Sequence, residues 1–120
     1  GKKVQFTFTP HLTPMFRGIL STIYIDIKEN SSIKKIISKL NEFYKNDRFV
    51  KIAPIDKFIS TNDVINTNYC YISVCKSKIK NKLIILSAVD NLIKGGAGQA
   101  VQNINIYFDF KETKGLIWKK

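Results

Sequence analysis

The residues most capable of chemistry lie in the run Lys94-Gly95-Gly96-Ala97-Gly98-Gln99-Ala100-Val101-Gln102-Asn103. Three glycines and two alanines lead straight into an apolar-periodic helix, and a backbone that bare lets a ligand approach closely. Just upstream, Asp90-Asn91-Leu92 closes an apolar strand. The succession of strand, small-residue turn and helix N-terminus favours phosphate or cofactor binding, because free N–H groups and the helix dipole converge there. The same pattern also serves tight packing. Spacing alone leaves both readings open.

Other reactive groups are sparse. The single histidine, His11, stands between Pro10 and Pro14 and reads as a hydrogen-bonded loop residue rather than a catalytic base. Cys70 and Cys75 lie on one expected strand at an odd spacing. They therefore point to opposite faces, and no disulfide between them is expected. They also lack the spacing and companion ligands of a zinc site. Cys70 has no neighbouring cation in sequence to lower its pKa and reads as a core cysteine. Arg17, before Gly18, can grip an anion or serve as an ordinary ion-paired arginine. No two carboxylates stand at a spacing that implies acid–base work.

The elements that position these residues follow from periodicity. Residues 4–9 alternate apolar and polar side chains and predict a half-buried strand, and 18–27 predict a long strand rich in isoleucine. Ser31-Ser32 offer capping oxygens for a helix over 33–45, whose Ile33, Ile36, Ile37, Leu40, Phe43 and Tyr44 form one apolar stripe fit to cover a sheet. A short strand is expected at 49–52 and an outward-reaching polar loop at 55–68. Strands at 69–76 and 82–89 pair as a hairpin around Lys80-Asn81, and a last helix covers 97–107 with Ala97, Val101, Ile104 and Phe108 on one face. The order implies an α+β domain: a mainly antiparallel or mixed sheet with helices on one face.

Composition narrows the function classes. The chain has 120 residues, one small core's worth, with 44% hydrophobic and 24% charged residues, which is globular composition. No apolar run reaches the length of a membrane span, no leader pattern opens the chain, and free cysteines fit a reducing cytoplasm. The net charge of +11 is almost all lysine, scattered along the chain, with Arg17 and Arg48 the only arginines. Readout of nucleic acid favours clustered arginine, so the lysines read as solvated surface and neither a nucleic-acid nor a membrane partner is expected.

Several blocks carry a resemblance. Phe8-Thr9-Pro10-His11-Leu12-Thr13-Pro14-Met15-Phe16-Arg17-Gly18-Ile19-Leu20, then Asn68-Tyr69-Cys70, the run from Ser87 through Asp90-Asn91-Leu92-Ile93-Lys94-Gly95-Gly96-Ala97-Gly98-Gln99 to Asn105, and Glu112-Thr113-Lys114-Gly115-Leu116 stand in this order. The sequence resembles the C-terminal part of the N-acetyl-gamma-glutamyl-phosphate reductases over its whole length. Two positions depart from the family pattern: Gly96 stands where alanine is usual, and Asn66-Thr67 replaces a common Gly-Ser.

The resemblance implies an NADPH-dependent enzyme of arginine biosynthesis that reduces an acyl phosphate to a semialdehyde through a cysteine thioester. It implies a glyceraldehyde-phosphate dehydrogenase-like C-terminal domain over residues 1–120, with substrate-binding and dimerisation roles and a Rossmann domain elsewhere. The family's Gly-Cys-Tyr-Pro and His-Arg-His motifs and the dinucleotide fingerprint do not occur here. No catalytic residue is therefore expected in this chain, which alone should be inactive. By the same resemblance Asn91, Gly95, Gly96 and Gln99 lie beside the nicotinamide end of NADP. Arg17 is the candidate for an anionic group of the small-molecule substrate. The last helix would pack on the Rossmann domain, and the sheet would join two copies as a homo-oligomer. No metal is expected. The alternatives are a non-catalytic dimerisation or interaction module, and the related aminoadipyl-phosphate reductase of lysine biosynthesis.

Overall fold

A computed structural model describes residues 3–117. Four strands form one mixed sheet: β1 (Ile19–Asp26), β2 (Val50–Ile52), β3 (Cys70–Lys76) and β4 (Lys82–Val89), in the order β1-β4-β3-β2. β4 runs antiparallel to both neighbours, while β2 runs parallel to β3. Two helices complete the domain, α1 (Ile33–Phe43) and α2 (Gly98–Tyr107). The α+β architecture is the one expected from the element order.

Local chemistry explains the boundaries. Ser32 caps α1, its Oγ accepting the N–H of Lys35 at 3.2 Å. The turn between β3 and β4 closes through Asn81, whose φ of +60° asparagine tolerates better than most residues. α1 lies against β2 and β3 with Ile33, Ile36, Ile37 and Leu40 half-buried, while Phe43 stays exposed. Cys70 and Cys75 are free and on opposite faces, Cys75 buried and Cys70 half-buried. His11 is exposed, with Nδ1 3.1 Å from the Thr9 carbonyl.

Two expectations are corrected. Residues 55–68 do not reach outward. Ile59 and Val64 are buried with Ala53 against Cys75, Leu86 and Ala88, so this connection covers one face of the sheet. It is pinned there by the hydroxyl of buried Ser73, which donates to the Lys57 carbonyl, and by the Lys76 N–H, which donates to Asp56 Oδ1 at 2.8 Å. Its polar composition hid two apolar anchors. The second correction concerns residues 4–9, which form no strand. Alternation can orient side chains, but a strand also needs a ladder partner, and among the described residues none pairs with this segment. Val4, Phe6 and Phe8 are left exposed.

β1 is an edge of the sheet and is solvated on both faces, with Ile23 44% and Tyr24 70% exposed. α2 is arranged in the opposite sense to an ordinary covering helix. Its buried residues are Gly98, Gln102 and Asn105, and its apolar Val101, Ile104 and neighbouring Phe108 face outward.

Candidate functional site

The antiparallel register pairs Ile19 with Val89, so the residues before β1 meet those after β4. That places Arg17 and Gly18 beside Asp90 and Asn91. Asp90 is fully buried and organises the junction. Its Oδ1 accepts the N–H groups of Leu92 and Ile93 at 2.9 and 3.0 Å, in the manner of a helix cap. Its Oδ2 accepts the Asn66 N–H at 2.7 Å and lies 2.8 Å from Arg17 Nε. Burial pushes the Asp90 carboxyl up, but the N–H groups of Asn66 and Ile93, the Arg17 guanidinium and the Leu92 N–H outweigh it. The carboxyl ends below its ordinary value.

Beyond Asp90 the chain makes a wide turn over Ile93–Ala97, with Gly95 N–H donating to the Asp90 carbonyl at 2.8 Å and Ala97 N–H to Leu92 at 3.0 Å. Gly96 takes φ −146° and ψ −114°, breaking the helix before α2 resumes. The glycines differ in purpose. A Cβ at Gly95 would meet nothing closer than the Asp90 carbonyl at 3.4 Å, and both Gly95 and Gly96 are exposed. A Cβ at Gly98 would sit 2.4 Å from Asn68 Oδ1 and 2.5 Å from Ile93 Cγ2, so this glycine lets α2 dock. The packing reading of the small-residue run therefore holds at Gly98, while Gly95 and Gly96 lie exposed on the turn.

Asn91 uses Oδ1 to accept the Gly18 N–H at 2.8 Å, and among the described residues no hydrogen bond engages its Nδ2. Gln99 bonds along its own helix, donating to Asn103 Oδ1 at 3.0 Å. The structure thus brings Arg17, Asn91 and Gly95 to one junction, with Gly96 on the same turn, while Gln99 stands on α2.

A second polar cluster holds α2 in place and escaped the reading from periodicity. Lys94 Nζ and Asn68 Nδ2 both donate to Gln102 Oε1, at 2.7 and 2.9 Å. Gln102 Nε2 donates to Glu112 Oε1 at 2.7 Å, and Asn105 Nδ2 donates to the carbonyls of Glu112 and Lys114. Burial lowers the Lys94 pKa, an effect partly offset by Cys70, Glu112 and Asp47 nearby. The available signal was Gly98, Gln102 and Asn105 recurring at helical spacing, a polar stripe as regular as the apolar one. Asp90 offered a weaker signal, a lone acid between a strand and a glycine turn. Among the described residues no group of three potential metal ligands occurs.

A four-stranded mixed sheet with a buried acid tying its edge strand to a glycine turn defines an α+β domain, and comparison with solved structures finds the same fold. The chain superposes on aspartate semialdehyde dehydrogenase II from Vibrio cholerae, a structure complexed with ASA, with a TM-score of 0.58 at 14% identity. The match covers 80% of this chain and 28% of that one. It shows the fold. The model of the semialdehyde dehydrogenase dimerisation domain matches residues 1–91, and the chain belongs to that family. It is 52% identical to the N-acetyl-gamma-glutamyl-phosphate reductase of Clostridium kluyveri over 94% of its length. It is 45% identical to that of Thermoanaerobacter pseudethanolicus over 97%. The chain spans about a third of the length of these relatives, 33% and 34% respectively.

Proposed function

We propose that this chain is the dimerisation and substrate-binding part of an NADP-dependent N-acetyl-gamma-glutamyl-phosphate reductase working in the cytoplasm. The reading rests on identity to proteins of that name across nearly the whole chain. The observation that carries it is the junction at Asp90, which presents an open glycine turn and the free Asn91 amide beside Arg17.

The residues present fit a nicotinamide. Gly95 and Gly96 are exposed and carry no side chain, which permits a ring to approach, and Asn91 Nδ2 is a donor suited to a carboxamide oxygen. When bound, the cofactor supplies hydride. The chain's own work is positional. Gly18 fixes the Asn91 side chain by taking its oxygen, so its N–H₂ is presented in one orientation. Asp90 fixes the turn. Arg17 holds an anionic group of the substrate, and Gln99 borders the cofactor side from α2.

A chimaera tests this. This chain replaces the corresponding third of the Clostridium kluyveri protein, and NADPH-dependent reduction of N-acetylglutamyl phosphate is followed. Turnover within about tenfold of the parent supports the reading, since a correctly placed turn is required. A folded, dimeric chimaera without turnover on that substrate overturns it.

A further inference from the structure

Beside Arg17 lies a cleft of about 540 Å³, lined also by Met15, Thr61, Asn62, Ile65 and Asn66. Its polar groups are idle. Among the described residues, no hydrogen bond engages the Nη atoms of Arg17, the Thr61 hydroxyl or the side-chain amides of Asn62 and Asn66. The guanidinium is nevertheless not free to turn away. Its Nε lies against the buried Asp90 carboxylate at 2.8 Å, and its side chain is only 22% exposed. An arginine anchored at Nε and unoccupied at its Nη atoms is preorganised for a forked contact with a planar anion.

The charge balance selects the anion. Asp90 already neutralises most of the guanidinium, and a phosphate dianion placed on the same group would feel that carboxylate across a few ångströms. A carboxylate monoanion feels less repulsion and matches the fork. Met15 and Ile65 supply apolar wall for a short aliphatic chain, and the amides of Asn62 and Asn66 can bond an acyl group.

The same carboxylate that anchors Arg17 through Oδ2 holds the Leu92 and Ile93 N–H groups through Oδ1. Cleft and turn therefore share one rigid acceptor. We propose that the Arg17 cleft is a carboxylate subsite and that Asp90 is the positioning residue coupling its occupancy to the glycine turn after β4. The identity of the carboxylate rests on the function proposed above, whereas the coupling does not.

The test uses the full chain, labelled with nitrogen-15 and titrated with N-acetyl-L-glutamate, with inorganic phosphate as the second arm. Two arginines give two Nε–Hε signals, and Arg17→Gln identifies one by its loss. The expected result is a saturable shift of the Arg17 signal and of the Leu92 and Ile93 amides with one shared Kd, phosphate binding at least tenfold more weakly. Arg17→Gln should abolish the response at Leu92 and Ile93. Asp90→Asn should leave a response at Arg17 and lose it at the turn. Asn62→Ala, at an exposed position, should weaken binding several-fold without moving the thermal midpoint, which keeps the test decisive if the other variants unfold. No saturable Arg17 shift removes the subsite. An Arg17 shift with Leu92 and Ile93 silent removes the coupling. An inactive chimaera with the coupling intact would instead discard only the function proposed above.

Discussion

The backbone N–H of Gly18 donates to Asn91 Oδ1 at 2.8 Å, tying the start of β1 to the end of β4 across the site. The bond does two things at once. It closes the sheet where its register would otherwise fray, and it orients the Asn91 amide with its N–H₂ unclaimed. Gly18 reaches this geometry at φ +105°, a backbone conformation that L side chains rarely adopt.

Gly18→Ala should therefore be among the most damaging small substitutions in the chain. The new Cβ would fall 2.6 Å from Thr61 Cβ while the residue is forced into a strained φ. The expected loss is about 1–3 kcal/mol, read as a lower midpoint in urea unfolding. A midpoint equal to that of the parent would show that the connection carrying Thr61 simply moves aside.

The two kinds of glycine in the turn can be separated. Gly98→Ala places a methyl 2.4 Å from Asn68 Oδ1 and 2.7 Å from the Ile93 carbonyl, and should cost about 1–3 kcal/mol by overpacking. Gly95→Ala meets only ordinary contact distances and should leave the midpoint almost unmoved. Equal thermal behaviour of the two variants would defeat the distinction.

Much of this was legible in the residues. β1, α1, the hairpin and α2 announce themselves by periodicity, since a half-buried strand or helix must repeat its apolar positions. The glycine run and Arg17 stood out by residue type, the cofactor roles of Asn91, Gly95 and Gly96 came from resemblance, and the register brings Arg17, Asn91 and Gly95 together. What stayed hidden is long-range. Nothing local says that Asp90 has four partners, because Asn66 and Arg17 join it through the sheet. Ile59 and Val64 were masked by polar neighbours, and the strand expected at 4–9 failed because pattern alone supplies no partner. Asn66 is instructive. It stands at φ +61°, where the resembled family commonly has glycine, and asparagine is the next most tolerant residue.

Asp90 should leave a signature in acid. Its carboxyl titrates near 3.8 when unfolded and lower when folded, so between those values the folded chain binds fewer protons. Its contribution is thus complete above about pH 4 and is lost as the pH falls through the folded value. Asp90→Asn should lower stability near neutrality by about 1.5–3 kcal/mol, the worth of hydrogen bonds to a charged group. It should also flatten the fall in stability below pH 4 relative to the parent, measured by urea unfolding across a pH series. An unchanged acid slope would mean that other carboxylates dominate.

The last prediction concerns how copies meet. Membership of a dimerisation family implies self-association, and two apolar surfaces compete for the role. One is β1, an edge strand with Ile19 and Ile23 on one face and Leu20 and Tyr24 on the other, all exposed. The other is the outer side of α2, with Val101, Ile104 and Phe108. Edge strands with a free ladder and apolar faces favour association with another sheet. The polar inner stripe of α2 suits a helix that joins its own domain by hydrogen bonds and keeps its apolar side for a different neighbour. Ile23→Lys should therefore raise the dissociation constant between copies at least tenfold in sedimentation velocity, since a charge on the covered face must be desolvated. Ile104→Lys should leave that constant within about twofold. The reverse pattern would assign the interface to α2 and free the sheet for another partner.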